Sequence, residues 1–193
     1  NLLEFLKTKT MKKVLMAAFL LVASSSMYAQ INKGQWLVGG NATFQSTKYG
    51  DGDAGKNTYF EISPNAGYFF ADKLAAGLRA SFWSDKDKSD DDALSSFSIA
   101  PFVRYYFLDP AQKVNVFADA SFGFGSVGRD DKSSFNEFGI MAGPAIFLTP
   151  NTALEFALFY KSAGGDAYKI GAEDERQNRF GLSVGFQIHL GGK

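Results

Sequence analysis

The sequence predicts an all-β protein, an eight-stranded antiparallel up-and-down transmembrane β-barrel. Three observations predict it. Apolar side chains recur with period two through eight successive segments after residue 30. No charged side chain falls on the apolar face of any of them, and no apolar run in this part of the chain is long enough for a spanning helix. The connections alternate long and short, as they do when long loops lie outside a membrane and tight turns inside.

The chain has 193 residues, enough for one domain with a sizeable core. Residues 1–10 precede a plausible initiator Met11 and read as an upstream extension. Lys12 and Lys13 then form a positive region, and Val14 to Ala23 is an unbroken apolar run of ten residues. That is half of the ~20 a spanning helix needs, so 11–29 reads as a signal peptide, cut after Ala29 or after Ser26. Four of the 20 basic and one of the 20 acidic residues fall in these first 29 positions. The product, 30–193, is weakly acidic with no nucleic-acid signature.

The first segment is Trp36 to Phe44. In the second, Phe60, Ile62, Pro64, Ala66, Tyr68 and Phe70 alternate with Glu61, Ser63, Asn65, Gly67 and Phe69. Eleven residues tilted at ~45° cover the ~25 Å apolar band of an outer-membrane barrel. Leu74 to Phe82 follows, then Phe97 to Phe107, Val114 to Phe124, Phe138 to Leu148, Thr152 to Tyr160 and Phe180 to Leu190. The long connections are Ser46–Asn57, Ser84–Ser95, Ser126–Ser134 and Ser162–Asn178; the short ones are Ala71–Lys73, Leu108–Gln112 and Thr149–Asn151. Pro64, Pro101 and Pro144 sit within segments that have neighbours on both sides. A missing N–H there predicts a bulge or local bend at each.

Periodicity alone does not say which face points outward. A secreted lipocalin-like binding barrel also has eight strands, and Gly34-Gln35-Trp36 echoes the G-x-W that opens the first strand of that fold. The second face decides. It is built mostly from small or uncharged residues such as Gly39, Asn41, Ser63, Asn65, Ser81, Ser121, Gly139, Ala157 and Ser183. Solvent-facing strands carry Lys, Glu and Thr; residues of this kind suit a crowded lumen. The apolar face is therefore assigned to lipid. Aromatics gather at both of its ends: Phe44, Phe60, Phe82, Phe97, Phe124, Phe138, Tyr160 and Phe180 toward the loops, and Trp36, Tyr68, Phe70, Tyr105 and Phe107 toward the turns. Paired interfacial girdles take this form.

The run Ile62-Ser63-Pro64-Asn65-Ala66-Gly67-Tyr68-Phe69-Phe70-Ala71-Asp72-Lys73-Leu74-Ala75-Ala76-Gly77 resembles the P-x-x-G-Y-F…D-(N/K)-L-A-x-G hairpin of the outer membrane protein β-barrel domain family. These are small barrels akin to the transmembrane domain of OmpA and to OmpX. The likeness extends over about residues 32–190, and that hairpin is its specific part. It implies an eight-stranded barrel, bacterial outer-membrane residence, and assembly by periplasmic chaperones and the barrel insertase. It implies no single biochemical activity. The sequence ends three residues after the eighth segment, so no peptidoglycan-binding domain is expected. Its end, Ile188 to Lys193, lacks the terminal aromatic that many barrels show.

Chemistry-bearing residues are few. There is no Cys and a single His, His189, which falls at the turn end of the eighth segment. Envelope acyltransferases and deacylases need a His general base near the outer leaflet, so His189 reads as an interfacial or lumen-end polar residue. Asp85, Asp87, Ser89 and Asp91 have the opening spacing of an EF-type Ca²⁺ loop. Asp90 replaces its Gly and Ser96 its Glu, so the stretch reads as a solvated acidic loop, with weak divalent-cation bridging to lipopolysaccharide phosphates as the alternative. No cofactor or metal is expected.

The lumen charges carry more information. Arg79, Arg104, Asp119 and Glu155 all fall three to six residues above a short turn. Arg104 and Asp119 are placed at a diagonal offset on adjacent strands, within reach of a bidentate pair. Glu61, Glu137 and Lys161 form a second tier above them. A neutral plug in a side-chain-filled lumen follows, and with it a non-enzymatic role: a monomeric anchor presenting four loops to lipopolysaccharide, outer-membrane lipids or external ligands. The alternative is a narrow pore for ions or small solutes, which an eight-stranded interior disfavours.

Overall fold

The computed structural model describes residues 31–48, 56–87, 94–128, 131–170 and 173–191. The extension 1–10, the signal segment 11–29 and most of the acidic stretch after Asp87 lie outside these residues. The eight strands are β1 (Trp36–Lys48), β2 (Lys56–Ala71), β3 (Leu74–Asp87), β4 (Leu94–Tyr106), β5 (Val114–Gly128), β6 (Lys132–Thr149), β7 (Thr152–Ile170) and β8 (Glu173–Leu190). Each is antiparallel to its neighbours in chain order, and β8 returns to β1 to close the barrel.

Alternation turns alternate side chains outward. Along β2 the residues from Phe60 to Phe70 alternate without exception between exposed and buried. The exposed members are apolar, Phe60, Ile62, Tyr68 and Phe70 among them. An outer wall of this kind is the reverse of a lipocalin-like barrel, whose apolar residues line the interior.

The strands are longer than their apolar faces. The strands run on into the expected loops Ser46–Asn57, Ser84–Ser95, Ser126–Ser134 and Ser162–Asn178: β1 and β2 pair up to Lys48↔Lys56, and β5 and β6 up to Gly128↔Lys132. The apolar pattern marks only where the apolar outer face ends. Backbone pairing needs only a neighbouring strand, so polar residues continue the ladder above it.

The prolines do not produce bulges. Around Pro64 the β2–β3 ladder passes from Ile62↔Phe82 to Asn65↔Arg79 in unchanged register. The same skip occurs on one side of Pro101 and of Pro144, again without a shift. Each proline simply forgoes pairing with the following strand and stays paired to the preceding one, as in Gly40↔Pro64, Leu78↔Pro101 and Val116↔Pro144. The register shifts lie elsewhere, at Phe69/Ala71, Phe147/Thr149 and Gly164/Lys169.

Short turns close the lower end. Lys73 takes a positive φ of 65° in the β2–β3 turn. Asn115 ties the β4–β5 turn together, its Oδ1 accepting from the Leu108 N–H at 3.0 Å. Residues 31–35 cross beneath: the Gly34 N–H donates to the Phe69 carbonyl and the Lys73 N–H to the Ile31 carbonyl, at 2.8 and 2.9 Å.

Candidate functional site: a lumen of stacked tiers

The lowest layer inside the barrel is aromatic. Phe69, Tyr106, Phe117 and Phe147 are buried with Leu37 and Ile31, and all four rings come from strand ends beside the short turns. His189 lies among them, fully buried, with ring centroids 5.4 Å from Phe147, 5.7 Å from Phe69 and 5.9 Å from Tyr106. The expectation of a mostly small-residue lumen misses this layer. A signal for it was present: Phe69, Tyr106, Phe117 and Phe147 all have lumen parity and stand within a few residues of a turn.

Above it sits the lower ionic tier. Arg104 and Asp119 are directly opposite each other on β4 and β5, not diagonal. The bidentate partner of Asp119 is Arg79, whose Nη1 and Nη2 donate to Oδ1 and Oδ2 at 3.1 and 2.8 Å. Arg104 spans the lumen: its Nε donates to Asp119 Oδ2 at 3.1 Å and its Nη1 to Glu155 Oε1 and Oε2 at 2.8 and 3.0 Å. The Tyr106 hydroxyl donates to Glu155 Oε1 at 3.1 Å. Both guanidinium groups also stack on rings, Arg79 at 4.9 Å from the Phe102 centroid and Arg104 at 4.4 Å from that of Phe117. The tier is electrically neutral and sealed from solvent.

A second neutral tier lies nearer the loops. Lys161 Nζ contacts Glu61 Oε1 at 2.5 Å and Glu137 Oε1 at 3.3 Å, and Arg179 Nη2 contacts Glu137 Oε2 at 2.6 Å. Arg179 is the member that sequence reasoning left out. It stands between the expected loop, which ends at Asn178, and the apolar segment that starts at Phe180, and it reaches inward over Trp83, 5.8 Å from that ring. A pocket of about 10 Å³ lies between the tiers, lined by Asn41, Ser63, Arg79 and Lys161 among others. That is room for a single water.

An apolar cap completes the stack. Gly165, with φ +113°, lets β7 leave the β8 ladder, which resumes at Lys169↔Asp174. A Cβ there would lie 3.1 Å from the Phe135 Cα. The excursion carries Ala167 and Tyr168 over Val127 and Phe135, beside Trp83 and Leu94.

The predicted girdle residues Trp36, Phe60, Tyr68, Phe70, Phe82, Phe97, Tyr105, Phe107, Phe124, Phe138, Tyr160 and Phe180 all face outward and are exposed. Phe44 keeps its strand position opposite Phe60; its side chain lies outside the described ones.

The sequence matches the outer membrane protein beta-barrel domain family over residues 15–191. The chain belongs to this family. Among solved structures, Neisserial surface protein A is similar in fold, with a TM-score of 0.61 at 18% identity over 81% of this chain and 97% of that one. The N-terminal β-barrel domain of OprF from Pseudomonas aeruginosa matches with a TM-score of 0.45 at 14% identity, over 82% and 98%. No curated protein matches the sequence.

Proposed function

We propose that this outer-membrane barrel is a non-enzymatic, monomeric anchor whose four long-loop connections form an interaction surface for lipopolysaccharide and external ligands. The observation that carries this reading is the filled lumen. An aromatic layer, two neutral ionic tiers and an apolar cap lie in series, and the pocket lined by residues of both tiers measures about 10 Å³. A barrel so occupied offers function at its outer wall and its loop end. The narrow-pore reading would require both tiers to part together. Against catalysis, His189 lies in the aromatic layer at the turn end, away from any loop. Assembly by periplasmic chaperones and the barrel insertase belongs to the same proposal.

The topology is tested with external protease on intact cells. Cuts are expected only in the connections β1–β2, β3–β4, β5–β6 and β7–β8. Cleavage at Ala71–Lys73 from outside would invert the barrel and remove the proposed surface.

A further inference from the structure

The seam between β1 and β8 is shorter than either strand's pairing on its other side. β1 runs against β2 as far as Lys48↔Lys56, and β8 runs against β7 to Gly164↔Arg176 and beyond. Between them the ladder starts at Trp36↔Leu190 and stops at Ala42↔Val184. Above that point the two strands diverge, and each presents one open edge.

Cross-strand register fixes the height of the fork. Ala42 lies opposite Ile62, and Val184 opposite Phe156, both outward-facing and exposed. Higher rows are still apolar: Leu182 pairs with Leu158, and Phe180 with Tyr160. The fork therefore begins inside the apolar band and widens toward the polar end of the strands. The side chains beside it respond. Leu182 and Phe180 are 70% and 69% exposed, above every other large apolar residue described, whereas Val184 and Phe186 just below the fork are 47% and 46%. Behind it are the buried Thr43 and Ser183 and the half-buried Asn41, whose Oδ1 has no hydrogen-bond partner.

Backbone edges at hydrocarbon depth must be satisfied, because lipid tails offer no hydrogen bonds. A strand from a second copy would need parallel-sided space, and this gap is a wedge that closes at Ala42 and Val184. A wedge that is apolar at its lower flank and bordered above by two strand edges not paired to each other fits the junction between a lipid's head and tail. We infer that the β1–β8 fork is a docking slot for a lipid of the outer leaflet. Its amide, ester or hydroxyl linkage sets against the open edges, and an acyl chain lies over Leu182 and Phe180. This inference rests on the outer-membrane placement proposed above.

The chain has no cysteine, so paired cysteines report on the seam cleanly. The full chain is placed in vesicles of phosphatidylethanolamine and phosphatidylglycerol. The variant Phe44→Cys/Leu182→Cys spans the fork, and Ala42→Cys/Val184→Cys, of the same parity, sits on the last closed pair. Closed partners meet the Cα spacing of a disulfide, so cross-linking across the fork is expected to be about ten-fold slower than at the control. Native mass spectrometry of the cysteine-free protein is expected to retain one phospholipid. Equal rates would show a closed seam and overturn the slot while leaving the barrel intact. Slow cross-linking with no retained phospholipid, or with dimers bridged between copies, would overturn the lipid as occupant. Failure of both pairs would overturn the barrel register, and with it the placement on which the slot depends.

Discussion

Arg104 and Lys161 each hold two carboxylates inside the same barrel, yet their surroundings differ. Arg104 is fully buried, bonds Asp119 and Glu155 through separate nitrogens, and lies on the Phe117 ring. Lys161 retains 11% exposure and offers one ammonium to Glu61 and Glu137. A guanidinium has a planar fork of donors and a weakly hydrated face, which suits a sealed, stacked site; an ammonium is a compact point charge that water competes for. The comparison teaches that equal formal charge does not make equal plugs. The lower tier is sealed and stacked on rings, and the upper tier is more exposed and lies nearer the loops.

Breaking the lower tier should have the largest effect. Arg104→Ala leaves Glu155 with only the Tyr106 hydroxyl and deprives Asp119 of one of its two cations. Stranding a buried charge in this way typically costs about 3–5 kcal/mol. The expected readout is a marked fall in the temperature at which the folded band on gels converts to the unfolded one. An unchanged temperature would mean that the tier contributes nothing to stability.

The partner structure sharpens this. Arg104→Ala with Glu155→Ala keeps the Arg79–Asp119 pair and a neutral lumen, so it should recover part of the loss. Arg104→Ala with Asp119→Ala strands Arg79 and Glu155 instead, and should not. Equal recovery in both would show that the four charges act as a diffuse cloud rather than as specific pairs.

Lys161→Met tests the other side of the comparison. Arg179 still neutralises Glu137, Ser63 still donates to Glu61, and water is near. A loss of about 1–2 kcal/mol is expected, between exposed and sealed pairs. It should shrink as salt is raised, because partly exposed charges are screened. A loss as large as that of Arg104→Ala would erase the distinction between the tiers.

Much of this was legible in the sequence. Period-two alternation gives the eight strands, because a wall between lipid and lumen needs opposite chemistry on its two faces. Lumen parity and height above the turns give Arg79, Arg104, Asp119 and Glu155 as one tier. What sequence reading missed depends on pairing. Strand ends beyond the apolar face, and Arg179 with them, leave no alternation to read. The offset assigned to Arg104 and Asp119 was diagonal because the register across the β4–β5 turn depends on how that turn is built around Asn115. A proline within a paired segment predicts a bulge or a local bend; the register shows no bulge, because one skipped neighbour suffices. The β1–β8 seam joins the two ends of the barrel, and no local pattern in either strand records where that pairing stops.

Whether the lumen is closed can be measured directly, by recording the purified wild-type barrel in a planar lipid bilayer. Two stacked neutral ionic tiers predict no large, stable conductance at any holding potential. A sustained, water-filled-pore conductance in the wild type would contradict the plugged lumen and move the function from anchor to pore.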